Sequence, residues 1–487
     1  MRAERIVVID AGTSALRAVS VTREGGVRVL ASREWPLFVP GDGGPFAREI
    51  DAGWLDDALS ALCRAGAAED VAGVAVTGQR EGLVFAAADG AALLVSPNVD
   101  ARAAAEGIAI DAAHASDVYA ETGHLPSLMQ AAAKWRWLQE HRPAAAEAVA
   151  TVIPLADWIG WRLCGGSPAM TRTLGVENGM LDLTSGKVAD RAVARGGLDA
   201  GRVPSCVADG EVRGEVAGGA LGGLPVVLAG ADTQCALVGM GVARAGECGV
   251  AAGWSAPVQL VTGVPVLDPE MRTWCGAHAL GSCWVAESNA GDLGRAFGWV
   301  CGLVGVSPDD AADLAAAAPP GSGDVLAIVG PRVMHAARMN AGVGGLTFPL
   351  PFAVSAPARG AVLRAFLESA ACGVRANVEQ LESVAGARVG RVALGGGMSR
   401  SALFARMLAD VLDRPVTVAA SPETSALGAA ALAFAAIGLH PSLRAALAEM
   451  ARPRETVEPR ARDSAAYDDV YARWRAMAEE FERMALI

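Results

Sequence analysis

Apolar and polar side chains alternate with a period of two over residues 5–33, which predicts two or three antiparallel strands. The apolar run Ile6 to Ile9 ends in Asp10. Ala11-Gly12-Thr13-Ser14 then forms a small hydroxyl-bearing turn, and Arg17 opens a second run. Helical spacing over 51–66 is followed by strands at Val71–Thr77 and Leu83–Ala87, with the turn Gly78 to Gly82 between them. Helices are predicted at Ala101–Ala115, Met129–His141 and Leu155–Leu163, and a buried strand at Leu224–Ala229 that releases Gly230-Ala231-Asp232. A second strand-rich block begins near Gly246, with a hairpin at Cys248–Val261 and a strand at Trp284–Glu287. The long helix Ala361–Ser383 leads to the strand Arg391–Leu394, the triplet Gly395-Gly396-Gly397, helices Ser401–Leu412 and Ala426–Ile437, and a charged amphipathic helix over about 463–487. The order hairpin, helices, strand-Asp and then hairpin, helices, strand-Gly-Gly-Gly is one plan used twice. It predicts two α/β lobes, 1–242 and 243–487, facing each other across a cleft.

At 487 residues the chain exceeds one ordinary core, and 52% hydrophobic against 19% charged residues gives it ample apolar surface to bury. Alanine drives the positive mean hydropathy; the longest apolar stretch, Ala426–Leu439, is short for a bilayer and broken by glycines. Strand structure starts within about five residues, which leaves no signal peptide, so a cytoplasmic protein without a membrane partner is expected. A net charge of −12 argues against a nucleic-acid partner. Nine scattered cysteines and six dispersed histidines offer no Cys-x-x-Cys, zinc-ligand spacing or Ser-His-Asp triad, so the thiols read as reduced.

Four segments carry chemistry. The tip of the first hairpin offers backbone N–H groups, the Thr13 and Ser14 hydroxyls and the Asp10 carboxylate, a set that can hold phosphates and a Mg²⁺ through water. It also reads as an ordinary turn with solvated hydroxyls. No Gly-x-x-x-x-Gly-Lys-Ser/Thr replaces it; the only lysines are Lys134 and Lys187. In VTGQREGLVF (Val76–Phe85), Gln79, Arg80 and Glu81 put a cation beside an anion at a turn, suited to a polyhydroxy ligand or simply to an exposed surface ion pair. In VVLAGADTQCALVGMG (Val226–Gly241), Asp232 leaves a buried strand and can accept a hydroxyl proton during phosphoryl transfer, or can cap the helix Cys235–Val238. In VALGGGMSRSALFARMLADVL (Val392–Leu412), the glycines let backbone lie flat against a base or ribose beside a helix N-terminus, or make a tight connection.

Together these segments resemble the FGGY family of carbohydrate kinases over nearly the whole chain. PNVDARA (Pro97–Ala103), ADWIGWRLCG (Ala156–Gly165), GMLDLTSG (Gly179–Gly186) and ETSALGAAALA (Glu423–Ala433) add to the likeness. The resemblance implies two actin-like, ribonuclease H-like ATPase domains that close on ATP and a small sugar or polyol. It implies Asp232 as catalytic base, contacting both substrate and metal, and Asp10 as a second Mg²⁺ holder. Gln79, Arg80, Glu81 and Asp100 would contact the sugar. Thr13, Ser14, Arg17, Gly253, Ser255, Gly395, Gly396, Gly397 and Ser399 would contact ATP. Within the family, REGLVF (Arg80–Phe85), NVDARAA (Asn98–Ala104), LDPEM (Leu267–Met271) and VAES (Val285–Ser288) are similar to autoinducer-2 kinases. A pentulose kinase such as xylulokinase is the alternative, although its usual Gln-Met-His-Gly turn is here Gln79-Arg80-Glu81-Gly82. Two departures stand out. Gly253-Trp254-Ser255 replaces the family's frequent Gly-Thr-Ser, and an indole cannot supply a threonine hydroxyl. Arg406 stands where a glutamine is frequent. A catalytically impaired nucleotide- or sugar-binding homologue is therefore a further expectation. A homodimer is another, since the alanine-rich helix 429–436 can pack within the chain or between subunits.

Overall fold

Strand β1 (Arg5–Ala11) is apolar on both faces, so it must lie inside a sheet covered on both sides. Val7 and Ile9 enter one buried cluster with Leu55, Leu59, Leu62, Trp158 and Ile159. Ile6 and Val8 enter a second with Val19, Val21, Leu427, Ala430 and Phe434. Strand β2 (Ala15–Thr22) pairs antiparallel with β1, and β3 (Val27–Glu34) forms the more exposed edge. Strand β4 (Val71–Gly78) pairs parallel with β1, and Pro225–Ala231 pairs parallel with β4. Glu211–Glu215 closes the six-stranded sheet antiparallel to Pro225–Ala231. The register slips between Leu228 and Gly230, a bulge that re-aims the end of the strand just before Asp232.

The computed structural model describes residues 4–68, 70–338, 342–350 and 357–484. The sheet above belongs to a first compact unit, made of Met1–Ala243, Thr262–Val285 and Glu423–Arg452. The second comprises Arg244–Val261, Ala286–Pro422 and Pro453–Ile487, so neither unit is contiguous in sequence.

The sheet of the second unit repeats the plan. Cys248–Ala251 pairs antiparallel with Ser255–Thr262 and parallel with Val392–Gly395; Val416–Ala419 follows parallel, and Pro453–Val457 closes antiparallel. Its core gathers Val250, Val258, Phe366, Leu394, Phe404 and Trp474. The tail helix Ala461–Arg483 joins it through Tyr467, whose hydroxyl accepts from Arg364 at 2.8 Å.

Several element bounds differ from expectation for physical reasons. The helix expected from Ala101 begins at Ala104 and runs to Thr122, because Asp100 holds the preceding turn through the Arg48 and Arg102 backbone N–H groups at 3.0 and 3.4 Å. Ser127–Met129 is a separate 3₁₀ turn, and the next helix starts at Ala131. A further 3₁₀ turn, Gly397–Arg400, separates the glycine triplet from the helix Ala402–Leu412. The alanine-rich helix Thr424–Ala436 is spent within the chain, with Ala426, Ala429, Ala430, Ala431 and Ala433 buried. It meets the helix Asp232–Gly239 at backbone contact. A Cβ on Gly428 would fall 1.9 Å from the Cys235 carbonyl, and one on Gly239 would fall 2.0 Å from that of Thr424. Among the described residues no helix is long and apolar enough to cross a membrane.

Candidate active site

In the first unit the ends of three neighbouring strands deliver the charged groups. Asp10 is buried near the end of β1. Arg17, its cross-strand partner, donates to its Oδ2 and donates to Glu423 at 2.7 Å. The other oxygen, Oδ1, is buried with no hydrogen-bond partner. A carboxylate oxygen without a donor is costly unless a cation or its water completes it, so this atom suits a Mg²⁺. Arg17, expected at the nucleotide, thus orients Asp10. At the tip, the Thr13 hydroxyl accepts from Asn98 Nδ2 at 2.9 Å, Trp35 Nε1 donates to the Gly12 carbonyl at 2.7 Å, and Ser14 is exposed.

Asp232 opens its helix as the first helical residue; Ala231 occupies the cap position and no side-chain cap bond forms. The capping role is therefore excluded. Burial first, and the nearby Asp10 carboxylate second, push the Asp232 carboxyl up to about 7. A base is most effective when its pKa lies near the working pH. The strand end that presents Asp232 is braced from behind. The Ala231 N–H donates to the Thr173 hydroxyl at 2.9 Å, and that hydroxyl donates to the half-buried Asp209. Burial lifts Asp209 to about 7 as well.

The turn after β4 is not an exposed ion pair. Gln79 is buried; its backbone N–H donates to the Ala11 carbonyl at 2.8 Å, and its Oε1 accepts from the Asn98 N–H at 2.6 Å. Arg80 donates to Glu177 at 3.2 Å and lies 5.2 Å from the Trp274 ring centre. Glu177 also accepts from Gln234 at 2.6 Å and faces His124 Nε2 at 3.1 Å. Burial disfavours charge on both, but their mutual attraction prevails: His124 is held above its ordinary value, and Glu177, which also faces Arg80, below its own. Burial pushes the Glu81 carboxyl up. Asp100, expected at the sugar, is fully buried, with its oxygens committed to Ser96 at 2.6 Å and Arg102 at 2.7 Å. It acts as an internal counter-charge.

Sequence reasoning missed Glu177, His124, Gln234 and Lys134. Glu177 had a readable signal, an acid directly after the run Leu174-Gly175-Val176 at the end of the helix Arg172–Glu177. One further grouping could take a cation: Glu106, Glu140 and His141 can bring ligand atoms within 4.8 Å of one another. Two of the three are exposed and Glu140 pairs with Arg136 at 2.9 Å, as in a solvated helix end.

In the second unit the matching turn is built from backbone. The Ala252 N–H donates to the Gly395 carbonyl at 3.0 Å, and the Ala252 carbonyl accepts from the Met398 N–H at 2.9 Å. Gly396 has φ of 78°, and a Cβ there would lie 2.6 Å from the Ala252 carbonyl oxygen, so only glycine fits. A Cβ on Gly397 would enter open space. Ser399 is buried and donates to the Gly396 carbonyl at 2.7 Å, so its hydroxyl shapes the turn. At the hairpin tip, the Gly253 N–H donates to the Ser255 carbonyl at 2.9 Å. The Trp254 ring is 38% exposed, with the Arg295 guanidinium 5.9 Å from its centre. Arg406 donates to the Glu458 carbonyl and lies 3.8 Å from Asp410.

Residues 5–239 match the FGGY family of carbohydrate kinases, N-terminal domain, and residues 263–437 match the C-terminal domain of the same family. The chain is 27% identical to the autoinducer-2 kinase of Escherichia coli K12, covering 98% of this chain and 94% of that one. It is 26% identical to the autoinducer-2 kinase of Yersinia pestis Pestoides F, with 97% and 93% covered. The solved xylulose kinase of Rhodospirillum rubrum superimposes with a TM-score of 0.83 at 26% identity, covering 99% of both chains. The gluconate kinase of Lactobacillus acidophilus shares the fold with a TM-score of 0.86 at 18% identity, over 99% of this chain and 100% of that one.

Proposed function

Because the chain belongs to the FGGY family of carbohydrate kinases, we propose that its acceptor is a small polyol ketone of the autoinducer-2 class and that Asp232 is its catalytic base. Membership makes the protein a two-domain actin-like phosphotransferase with an alcohol acceptor, using ATP with Mg²⁺. The acceptor class draws on relatives named autoinducer-2 kinase that match end to end, and on Gln79-Arg80-Glu81 in place of the Gln-Met-His-Gly turn of pentulose kinases.

The observation that carries the site assignment is the state of the two carboxylates: one buried oxygen of Asp10 lacks a donor, and burial with the Asp10 charge raises Asp232 to about 7. In the proposed reaction the acceptor oxygen attacks the γ-phosphorus, its proton passes to an Asp232 carboxylate oxygen, and the bond from that phosphorus to the ADP oxygen breaks. Mg²⁺, held by the Asp10 carboxylate that Arg17 fixes, would supply the charge that neutralises the phosphates, which Thr13 and Ser14 would meet. Gln79, Arg80 and Glu81 orient acceptor hydroxyls, and Glu177 positions Arg80. Gly253 and Ser255, with Gly395, Gly396 and Gly397, line the nucleotide site.

A pentulose acceptor is the second reading, favoured by the 26% identity to a xylulose kinase. Trp254 favours a third, reduced turnover with binding retained. A cytoplasmic location accords with ATP use and with nine unpaired cysteines; a homodimer belongs to the same proposal and is checked by light scattering. The deciding experiment measures ADP release from ATP-Mg²⁺ across autoinducer-2, pentuloses, hexuloses, glycerol and gluconate. Activity strongest on autoinducer-2 and absent in Asp232→Asn supports the reading; activity confined to a pentulose replaces it with the second.

A further inference from the structure

Glu81 adopts φ of 63°, the left-handed region that an L-residue other than glycine, asparagine or aspartate seldom enters. It does so in the middle of the turn proposed to meet the acceptor, between Arg80 and Gly82. Both ends of that turn are tied down. Gln79 bonds Ala11, and the Gly82 carbonyl accepts from the Leu155 N–H at 2.9 Å. The middle needs a holder of its own.

That holder is Lys134. It lies on the helix Ala131–His141, is fully buried, and its Nζ donates to the Glu81 carbonyl at 2.8 Å. Burying an ammonium is costly, and burial pulls this one down to about 8, with Asp100 and Glu81 opposing the shift. Asp100 has its own donors, Ser96 and Arg102. The chain otherwise avoids lysine: of 41 basic residues only Lys134 and Lys187 are not arginine. A single carbonyl acceptor in a dry site suits a compact point charge better than a planar five-donor fork. The Arg102 guanidinium, itself against the Trp137 ring at 4.7 Å from its centre, adds a like charge whose field also lowers Lys134.

We infer that Lys134 is a positioning residue that locks the left-handed Glu81 turn and so presents Arg80 and Glu81 to the acceptor hydroxyls. The inference rests on the polyol-kinase reading for its functional half. Its structural half, the locked turn, stands without it.

The test pairs two readouts on the full-length protein. Amide hydrogen exchange over residues 79–83 should quicken in Lys134→Met while β1 and β4 keep their protection. In steady-state kinetics on the acceptor that the wild type uses, Lys134→Met should raise acceptor KM by about tenfold to a hundredfold, the cost of a lost bond to a charged donor. KM for ATP should stay within about twofold, a split that general loosening of the fold would not give. Lys134→Arg, which restores charge and donors in a bulkier form, should recover part of that loss. Unchanged exchange at 79–83, or a folded Lys134→Met with wild-type acceptor KM, would overturn the inference. Should Lys134→Met not fold, the neutral Lys134→Gln decides: unchanged exchange at 79–83 overturns the inference, and quickened exchange there supports it. A wild type inactive on every acceptor sinks the kinase reading, and the exchange experiment still decides the lock.

Discussion

Two hairpin tips hold equivalent places in two sheets that share a strand order, the second with one strand more, yet their chemistry differs. The first reads Asp10-Ala11-Gly12-Thr13-Ser14; the second reads Ala251-Ala252-Gly253-Trp254-Ser255. Each precedes a strand parallel to its first member, and β1 meets β4 at Ala11 and Gly78 as Ala251 meets Gly395. After those parallel strands the first unit places Gln79-Arg80-Glu81 and the second places Gly396-Gly397. One sheet ends in carboxylates, a guanidinium and their counter-charges. The other ends in bare peptide groups held at the backbone contact of Gly396 with Ala252. On the proposed reading a common scaffold divides the labour: side chains for proton and metal chemistry, backbone for a ligand's flat faces. Ligands of α/β sheets gather at the carboxyl ends of parallel strands, and the two units fill that position with different means.

The sharpest way to break the comparison is to remove the charge from the first unit. Asp232→Asn should lower kcat by about 10²–10⁴-fold, the range for a lost general base. It should also stabilise the fold at alkaline pH. Asp232 binds its proton more tightly folded, at about 7, than in an unfolded chain with an ordinary carboxylate value, so wild-type stability declines as pH rises through that window. The Tm of the variant should exceed that of wild type at pH 8 and converge with it in acid. A variant less stable at pH 8 contradicts the assignment.

Making the tips alike is a gentler test. Trp254→Thr restores a hydroxyl where the second hairpin has an indole. It should raise kcat several-fold, on the order of 1 kcal/mol of transition-state stabilisation, while acceptor KM holds. Unchanged kcat would show that the indole does not limit turnover. The smallest effect belongs to Arg406→Gln. Its guanidinium is turned to the Glu458 carbonyl and Asp410, so stability should fall by less than about 1 kcal/mol and ATP KM should hold.

Much of this plan was legible in the chain. Period-two alternation marks β1 to β3, and the fully apolar Ile6–Ile9 run marks a central strand. The proposed site residues Asp10, Gln79, Arg80 and Asp232 are legible as candidates because each lies at or just after the end of an apolar strand. Their supports are not, because His124, Lys134 and Glu177 come from helices and loops whose local pattern says nothing of what they will face. Asp100 shows the converse. Its motif suggests a ligand contact, yet tertiary packing spends it on Arg102. The noncontiguous units were hidden too, since Glu423, the partner of Arg17, lies 406 residues away in sequence.

The most direct test of the charged strand ends is the titration of the Asp232 carboxyl in the metal-free protein, followed by difference infrared spectroscopy in wild type and Asp10→Asn, with Asp232→Asn to assign the band. Burial and the Asp10 charge push Asp232 up to about 7. The wild-type carboxyl should therefore ionise near pH 7, and in Asp10→Asn it should ionise at lower pH as that repulsion disappears. Ionisation at the same pH in both proteins, or in the ordinary carboxylate range in wild type, would contradict the account.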